Sequence, residues 1–149
     1  MPSPIKISHF KPTDQETVQQ LINQGLGEHW GSVDPTYNPD LYDIAETYKN
    51  DVFLVARCGQ RIIGTGALVT RSDQVGEIVR MSVAQDQRRQ GIGNLILNEL
   101  IETARKKGFS KIILETTETW KEVVAFYLAY GFEITHHQGG DAYFSFNLD

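Results

Sequence analysis

Glu77-Ile-Val-Arg-Met-Ser-Val83, followed after a short polar turn by Arg88-Arg-Gln-Gly91-Ile-Gly93-Asn-Leu-Ile-Leu97, reads as a β-rich run that feeds a glycine loop, which in turn opens an apolar-periodic helix. Backbone N–H groups in such a loop and in the first turn of a helix have no intrahelical acceptor, and the helix dipole favours negative charge there. Gly91 and Gly93 remove the side chains that would hold a phosphate away from those amides. The expected ligand is a phosphorylated cofactor at a strand-to-helix junction. A Walker loop requires Gly-Lys-Ser/Thr, whereas Gly93 is followed by Asn94. A dinucleotide fingerprint requires a third glycine, absent from Gly-Ile-Gly-Asn-Leu-Ile, and belongs near the first strand rather than past mid-chain.

Outward from this junction, the rest of the chain divides into short elements. Ile5 and Ile7 alternate with polar residues in a first strand ending near Phe10. Thr13-Asp-Gln-Glu16 has a capping-box pattern for a helix through Val18, Leu21 and Ile22 that Gly25 and Gly27 would end. A loop over Glu28 to Asn38 precedes Asn38-Pro39, the start of a second helix reaching about Lys49. Asp51 to Ala56 and Arg61 to Val69 read as strands around Cys58-Gly59-Gln60, and Val75 to Val83 as the fourth strand. The helix from Gly91 to Lys107 carries Leu97, Leu100, Ile101 and Ala104 on one stripe and ends at Gly108. Lys111 to Thr116 is a buried-type strand, Trp120 to Tyr130 a helix stopped by Gly131, and Phe132 to His136 and Ala142 to Leu148 the last strands. The predicted fold is α/β, a mixed α+β sheet of about seven strands with helices on both faces, in a single domain over residues 1–149.

Composition narrows the function. The chain is 40% apolar and has net charge −5, which fits a globular protein and argues against broad nucleic-acid binding. No segment approaches the roughly twenty apolar residues of a membrane span, and the N-terminal Met-Pro-Ser-Pro-Ile-Lys has no signal-peptide core, so no membrane association is expected. Cys58 is the single cysteine; no intramolecular disulfide is possible, and a cytoplasmic location is expected. Arg80, Arg88 and Arg89 concentrate positive charge around the loop, while Arg105, Lys106 and Lys107 complement the dipole at the end of the following helix.

Three motifs taken together, the Glu-Ile-Val-Arg-Met-Ser-Val strand, the Arg-x-x-Gly-x-Gly loop and the downstream Phe126-Tyr127-x-x-x-Gly131-Phe132, resemble the GNAT acetyltransferase superfamily from about Asp51 to the C-terminus. The resemblance implies a sheet splayed between its fourth and fifth strands, with acetyl-CoA as acyl donor and an N-acetyltransferase activity without a metal. It places the pyrophosphate on the backbone of Arg89, Gln90, Gly91, Ile92, Gly93 and Asn94, with Arg88 shaping the turn. Met81, Ser82 and Val83 would meet the pantetheine arm, and an amide there, that of Met81, would donate to the thioester oxygen; such donors are typically worth about 2.7–4 kcal/mol.

The resemblance also assigns roles for the chemistry. Tyr127 occupies the position of the tyrosine that protonates the leaving thiolate; a phenol with an ordinary pKa near 10 is protonated at neutral pH. The alternative is a core tyrosine on the buried face of its helix. Two carboxylates compete as general base. Glu77, eleven residues before Arg88, matches the base of histone-acetylating relatives, and Glu115 matches a base position in relatives acting on protein N-termini. Glu77 is the first choice, and solvated strand-end carboxylates are the alternative for both. Trp120 stands seven residues before Tyr127, where many relatives carry an asparagine that bonds the cofactor arm.

The family walls its acceptor site with the first two helices and their joining loop, so Trp30, Tyr37 and Tyr42 are candidates to frame a substrate; the alternative is that Trp30 and Tyr42 pack on the sheet. His136 and His137 are adjacent on a strand and point to opposite faces, which argues against a shared metal. The acceptor is expected to be an amine of a small molecule or amino acid, with a protein or peptide acetyltransferase, or a silent acyl-CoA-binding sensor, as alternatives. A monomer or homodimer is expected.

Overall fold

The computed structural model describes residues 4–30 and 38–148. Seven strands form one sheet: β1 (Ile5–His9), β2 (Val52–Cys58), β3 (Arg61–Thr70), β4 (Val75–Val83), β5 (Lys111–Thr117), β6 (Glu133–Gln138) and β7 (Asp141–Asn147), in the order β1-β2-β3-β4-β5-β7-β6. Every neighbouring pair is antiparallel except β4 and β5, which are parallel. Parallel neighbours require a crossover, and it is supplied by α3 (Ile92–Lys106).

The helices take opposite faces of the sheet. Side chains on a strand alternate between its two faces, and in β3 both faces are buried. A Cβ on Gly66 would stand 2.7 Å from Ile96 and 3.0 Å from Leu100, so α3 seats close against this face because the position has no side chain. On the other face lies α1 (Gln15–Trp30), where a Cβ on Gly25 would stand 3.1 Å from the Ser82 hydroxyl of β4. The apolar stripe of α3, Ile92, Ile96, Leu97, Leu100, Ile101 and Ala104, is buried, each large side chain contributing about 1.5–3 kcal/mol. The helix α4 (Lys121–Tyr130) packs on the α3 side of β7 through Tyr127 and Phe144. No helix among the described residues is long and apolar enough to cross a membrane.

Strands β4, α3, β5 and α4 fall within a residue or so of their expected bounds, with Gly108 and Gly131 at positive φ beyond the two helices. The N-terminal third differs. A 3-10 turn, Pro12–Asp14, precedes α1, and the carboxylate of Asp14 accepts from the Lys11 amide and pairs with Arg57; the cap is therefore not Thr13 with Glu16. The helix also runs through Gly25 and Gly27 to Trp30, because Gly25 is a packing site against Ser82 rather than a stop. The expected second helix is broken into a 3-10 turn, Pro39–Leu41, and a short α2 (Ile44–Thr47), whose own N-cap is Asp43 accepting from the Glu46 amide at 3.2 Å.

Candidate active site

The site begins where β4 ends. A 3-10 turn, Gln85–Gln87, carries the chain away from Val83, and Arg88 turns back, donating to the Val83 carbonyl at 3.0 Å and pairing with Glu28 at 2.6 Å. The Arg88 side chain thus ties the turn back to the end of β4, with its charge already engaged by Glu28. Arg89 and Gly91 take positive φ, 64° and 82°, and the helix begins at Ile92. The first helical bond shown from this turn runs from the Leu95 amide to the Gly91 carbonyl, so the amides of Ile92, Gly93 and Asn94 precede the intrahelical ladder. A Cβ on Gly91 would meet no atom within 4 Å, so the space over the loop is open to a ligand. Gly93 serves packing instead, since a Cβ there would stand 3.2 Å from the Phe126 ring. The glycine loop and the Phe-Tyr motif therefore meet in space. This donor set, an open loop of amides at a helix N-terminus, suits a pyrophosphate.

Beside the loop the sheet opens. β4 pairs with β5 at only three positions, Val75 with Lys111, Gly76 with Ile112 and Glu77 with Ile113. Beyond them β4 continues to Val83, while β5 stays paired to β7 as far as Thr117. This is the expected splay. Within the freed part of β4 lies a bulge: Ala67 pairs with Val79 and Thr65 with Ser82, leaving Gly66 opposite both Arg80 and Met81. Arg80 has φ 57°, a left-handed conformation that costs a side-chain-bearing residue roughly 1–2 kcal/mol.

On the α2 face, the opening leads into a cleft of about 460 Å³ that brings together Glu77, Glu115, Asp40, Tyr48, Arg71 and Arg80. Both candidate bases thus line one cleft. Glu77, with 15% of its side chain exposed, accepts from Arg71 Nε at 2.6 Å through Oε1. Glu115 stands opposite Tyr143 in the β5–β7 ladder, and its hydrogen bond pushes the Tyr143 phenol above its ordinary pKa. Tyr143 in turn stacks on His136 with ring centroids 4.4 Å apart.

Arg80 is not part of the phosphate loop, as its place in the sequence implied. Its guanidinium grips Asp40 at 2.9 and 2.7 Å and reaches Asn38 at 3.1 Å. Asp40 also accepts from the Tyr48 hydroxyl at 2.7 Å. Burial alone would raise the Asp40 carboxyl, but hydrogen bonds from Arg80 and Tyr48 outweigh it and hold it below the usual value. Burial, with Asp40 beside it, keeps Tyr48 well above an ordinary phenol, and so a hydrogen-bond donor at any working pH. The wholly buried Thr65 donates to the Arg80 carbonyl at 2.7 Å.

Tyr127 is 6% exposed, its ring held by Phe126, Phe132 and Phe144 at centroid distances of 5.1, 5.6 and 5.8 Å. Burial drives its pKa far above the ordinary phenol value, which keeps its proton in place. Trp120 stands at the N-cap of α4, with no cap bond from its side chain. Tyr42 is 52% exposed, beside the short turn that supplies Asp40 to the cleft. Tyr37 and the side chain of Trp30 lie outside the described residues.

Sequence reasoning passed over Asp40, Tyr48, Thr65, Arg71 and Tyr143. One signal was present: a threonine between two glycines, Gly64-Thr65-Gly66, in a buried-type strand marks a bulge or a close backbone approach.

The model of the acetyltransferase (GNAT) family matches residues 16–132. An IAA acetyltransferase of Azospirillum brasilense is 33% identical over 120 residues, covering 79% of this chain and 78% of that protein. N-acetyltransferase 8B of Rattus norvegicus is 30% identical over 118 residues, covering 73% of this chain and 53% of its own, so the chain spans about half the length of such relatives. Among solved structures, an acetyltransferase of the GNAT family from Staphylococcus aureus Mu50 superposes with a TM-score of 0.90 at 22% identity over 98% of this chain and all of that one. The PaiA N-acetyltransferase of Thermoplasma acidophilum, solved with coenzyme A, superposes with a TM-score of 0.86 at 20% identity, covering 97% and 99% of the two chains.

Proposed function

The chain belongs to the acetyltransferase (GNAT) family and is an acyltransferase, and from that premise we propose that it moves an acetyl group from acetyl-CoA to the primary amine of a small molecule. The observation that carries this reading is the opening between β4 and β5, with an amide-lined loop at its end and a carboxylate-lined cleft on the α2 face. Acetyl-CoA supplies the activated acyl group as its thioester. The chain's own residues hold it, through the backbone of Arg89 to Asn94 for the pyrophosphate and of Met81 to Val83 for the pantetheine arm.

The acceptor enters through the cleft as an ammonium and must lose a proton before it can attack. Glu77 is the base we assign: Arg71 anchors Oε1 and leaves Oε2 for the proton. Glu115, fixed by Tyr143, is the alternative within the same cleft. The Met81 amide is the donor assigned to the thioester oxygen; as the C–S bond breaks, Tyr127 gives its proton to the departing thiolate, and the second proton shed by the attacking nitrogen restores the phenol. A cleft of about 460 Å³ fits an amine of modest size, which favours a small molecule over a folded protein surface.

The test is a panel of amines, amino acids and short peptides incubated with acetyl-CoA while free thiol is followed. Acyl transfer to a small amine supports the reading, and turnover confined to peptides replaces the acceptor class. CoA binding by calorimetry with no acceptor consumed would identify a silent acyl-CoA-binding domain instead.

A further inference from the structure

We propose that Asp40, Tyr48 and Thr65 are positioning residues for acyl transfer, holding Arg80 in its left-handed conformation and so fixing the direction of the backbone that enters Met81. The inference rests on the acyltransferase reading above, and it gives Asp40 and Tyr48, which also line the cleft, a role exercised through Arg80.

Two separate ties converge on one strained residue. The side chain of Arg80 is gripped by both oxygens of Asp40, and Asp40 is held in turn by the Tyr48 hydroxyl at 2.7 Å. The two-pronged geometry of a guanidinium on a carboxylate restricts rotation in a way that a single point contact cannot. The carbonyl of the same residue is held from inside the sheet by Thr65, which is wholly buried. A residue at φ 57° that is tied at both its side chain and its carbonyl has little freedom to relax toward the ordinary strand region.

The consequence falls on the next peptide. The bulge lies where β4 has already left β5, so no neighbouring strand on that side fixes the direction of the Met81 amide. The opposite side is closed: Gly66 faces the bulge, and a Cβ there would stand 2.6 Å from the Met81 sulfur. Met81 is thus seated against β3, and the left-handed conformation of Arg80, with its carbonyl held by Thr65, decides how the amide between them is turned. A donor must already be aimed when charge develops on the oxygen, and modest misplacement is costly.

The decisive comparison is Arg80→Ala against Arg80→Gly. Both remove the grip on Asp40, but glycine adopts positive φ freely and alanine does not. With both variants fully folded at the assay temperature by circular dichroism, Arg80→Ala should lower kcat on the order of ten- to a hundredfold, with KM for acetyl-CoA nearly unchanged. Arg80→Gly should recover most of that loss, and Tyr48→Phe should fall between wild type and Arg80→Ala. An arginine that merely braces the fold, or that contacts the acceptor itself, would leave the glycine variant no better than the alanine variant, and that result overturns the proposal.

A readout without an acceptor separates this failure from that of the underlying reading. Backbone amide resonances titrated with acetyl-CoA should move at residues 89–94 and at Met81 in the wild type. In Arg80→Ala the response of Met81 should be lost while that of the loop persists, and Arg80→Gly should restore it. Loop shifts with an unaltered Met81 response in Arg80→Ala sink the clamp alone. No shift at residues 89–94 in the wild type removes the acyltransferase reading and the clamp with it.

Discussion

The loop after β4 and the cleft on the α2 face stand at the same opening in the sheet, yet they are built on opposite plans. The loop is contiguous and, in the proposed reading, acts through its backbone: Arg89 and Gly91 take positive φ before the helix opens, while its arginines point elsewhere, Arg88 to Glu28 and Arg89 to Glu122. The cleft is assembled from distant parts of the chain and, in the proposed reading, acts through side chains, with Asp40 and Tyr48 from the α2 region, Glu77 and Arg80 from β4, and Glu115 from β5. A backbone device tolerates exchange of most side chains but not of the glycine that shapes it. A side-chain device depends on each member. The contrast predicts where substitutions hurt and by which kinetic constant they are read.

The largest effect is expected at Tyr127 of α4, which belongs to neither plan and is buried among Phe126, Phe132 and Phe144. Tyr127→Phe keeps the ring among Phe126, Phe132 and Phe144 and removes only the proton donor. Turnover should fall about a hundredfold or more, with acetyl-CoA affinity little changed. The sign of the pH dependence follows from burial: a raised pKa keeps the phenol protonated beyond its ordinary value near 10, so its alkaline limb should lie above that pH. Unchanged turnover in pre-steady-state assays, where chemistry is isolated, returns Tyr127 to the core alone.

Next comes Gly91→Val, the direct test of the backbone plan. The new Cβ meets no protein atom, so stability should drop only by the strain of a β-branched residue at φ 82°. The side chain would occupy the open space over the amides, and CoA affinity measured by calorimetry should fall roughly a hundredfold, in line with the loss of one or two bonds to a charged group at about 1.5–3 kcal/mol each. A loss of thermal stability as large as the loss of affinity would mean that Gly91 serves the fold and not the ligand.

The same contrast explains how much could be read from the sequence. Strand β4, α3 and the motif around Tyr127 were legible because their signals are local: hydrophobic period, glycine at helix ends, and a loop made of consecutive residues. Glu77 and Glu115 could be named as candidate carboxylates, but their convergence on one cleft comes from the parallel pairing of β4 with β5, which no spacing announces. The Asp40–Arg80 pair joins residues forty apart, and the charge of Arg80 was assigned to the nearer loop because sequence distance was the only distance to hand. Gly25 misled for a related reason: its meaning lies in Ser82, not in the helix that contains it. Tertiary packing overrides local propensity at such positions.

Within the cleft, the two carboxylates can be separated. If Glu77 deprotonates the amine, Glu77→Gln should lower the rate at neutral pH by about tenfold or more, with partial recovery as pH rises and more amine is already neutral. Glu115→Gln should then leave the shape of the profile unchanged. The reverse pattern assigns the proton to Glu115, with Tyr143 as its partner. Two flat responses would leave deprotonation to water and would break the claim that the cleft acts through individual side chains.

The smallest effect is expected at Arg89, and it tests the contrast from the other end. Its side chain and that of Glu122 are 86% and 88% exposed, so their pair, at 3.3 Å, is worth about 0–1 kcal/mol to the fold and is weakened further by salt. Arg89→Ala keeps a side-chain-bearing residue at φ 64° and leaves the backbone strain unrelieved, so the course of the loop should not change. Only a nearby positive charge is lost. CoA affinity should therefore fall no more than about fivefold at low ionic strength, the equivalent of about 1 kcal/mol, and the difference should shrink as salt is added. The thermal midpoint should stay within error of the wild type. A loss approaching that of Gly91→Val would make the guanidinium a principal phosphate ligand, and the loop would then be a side-chain device like the cleft beside it.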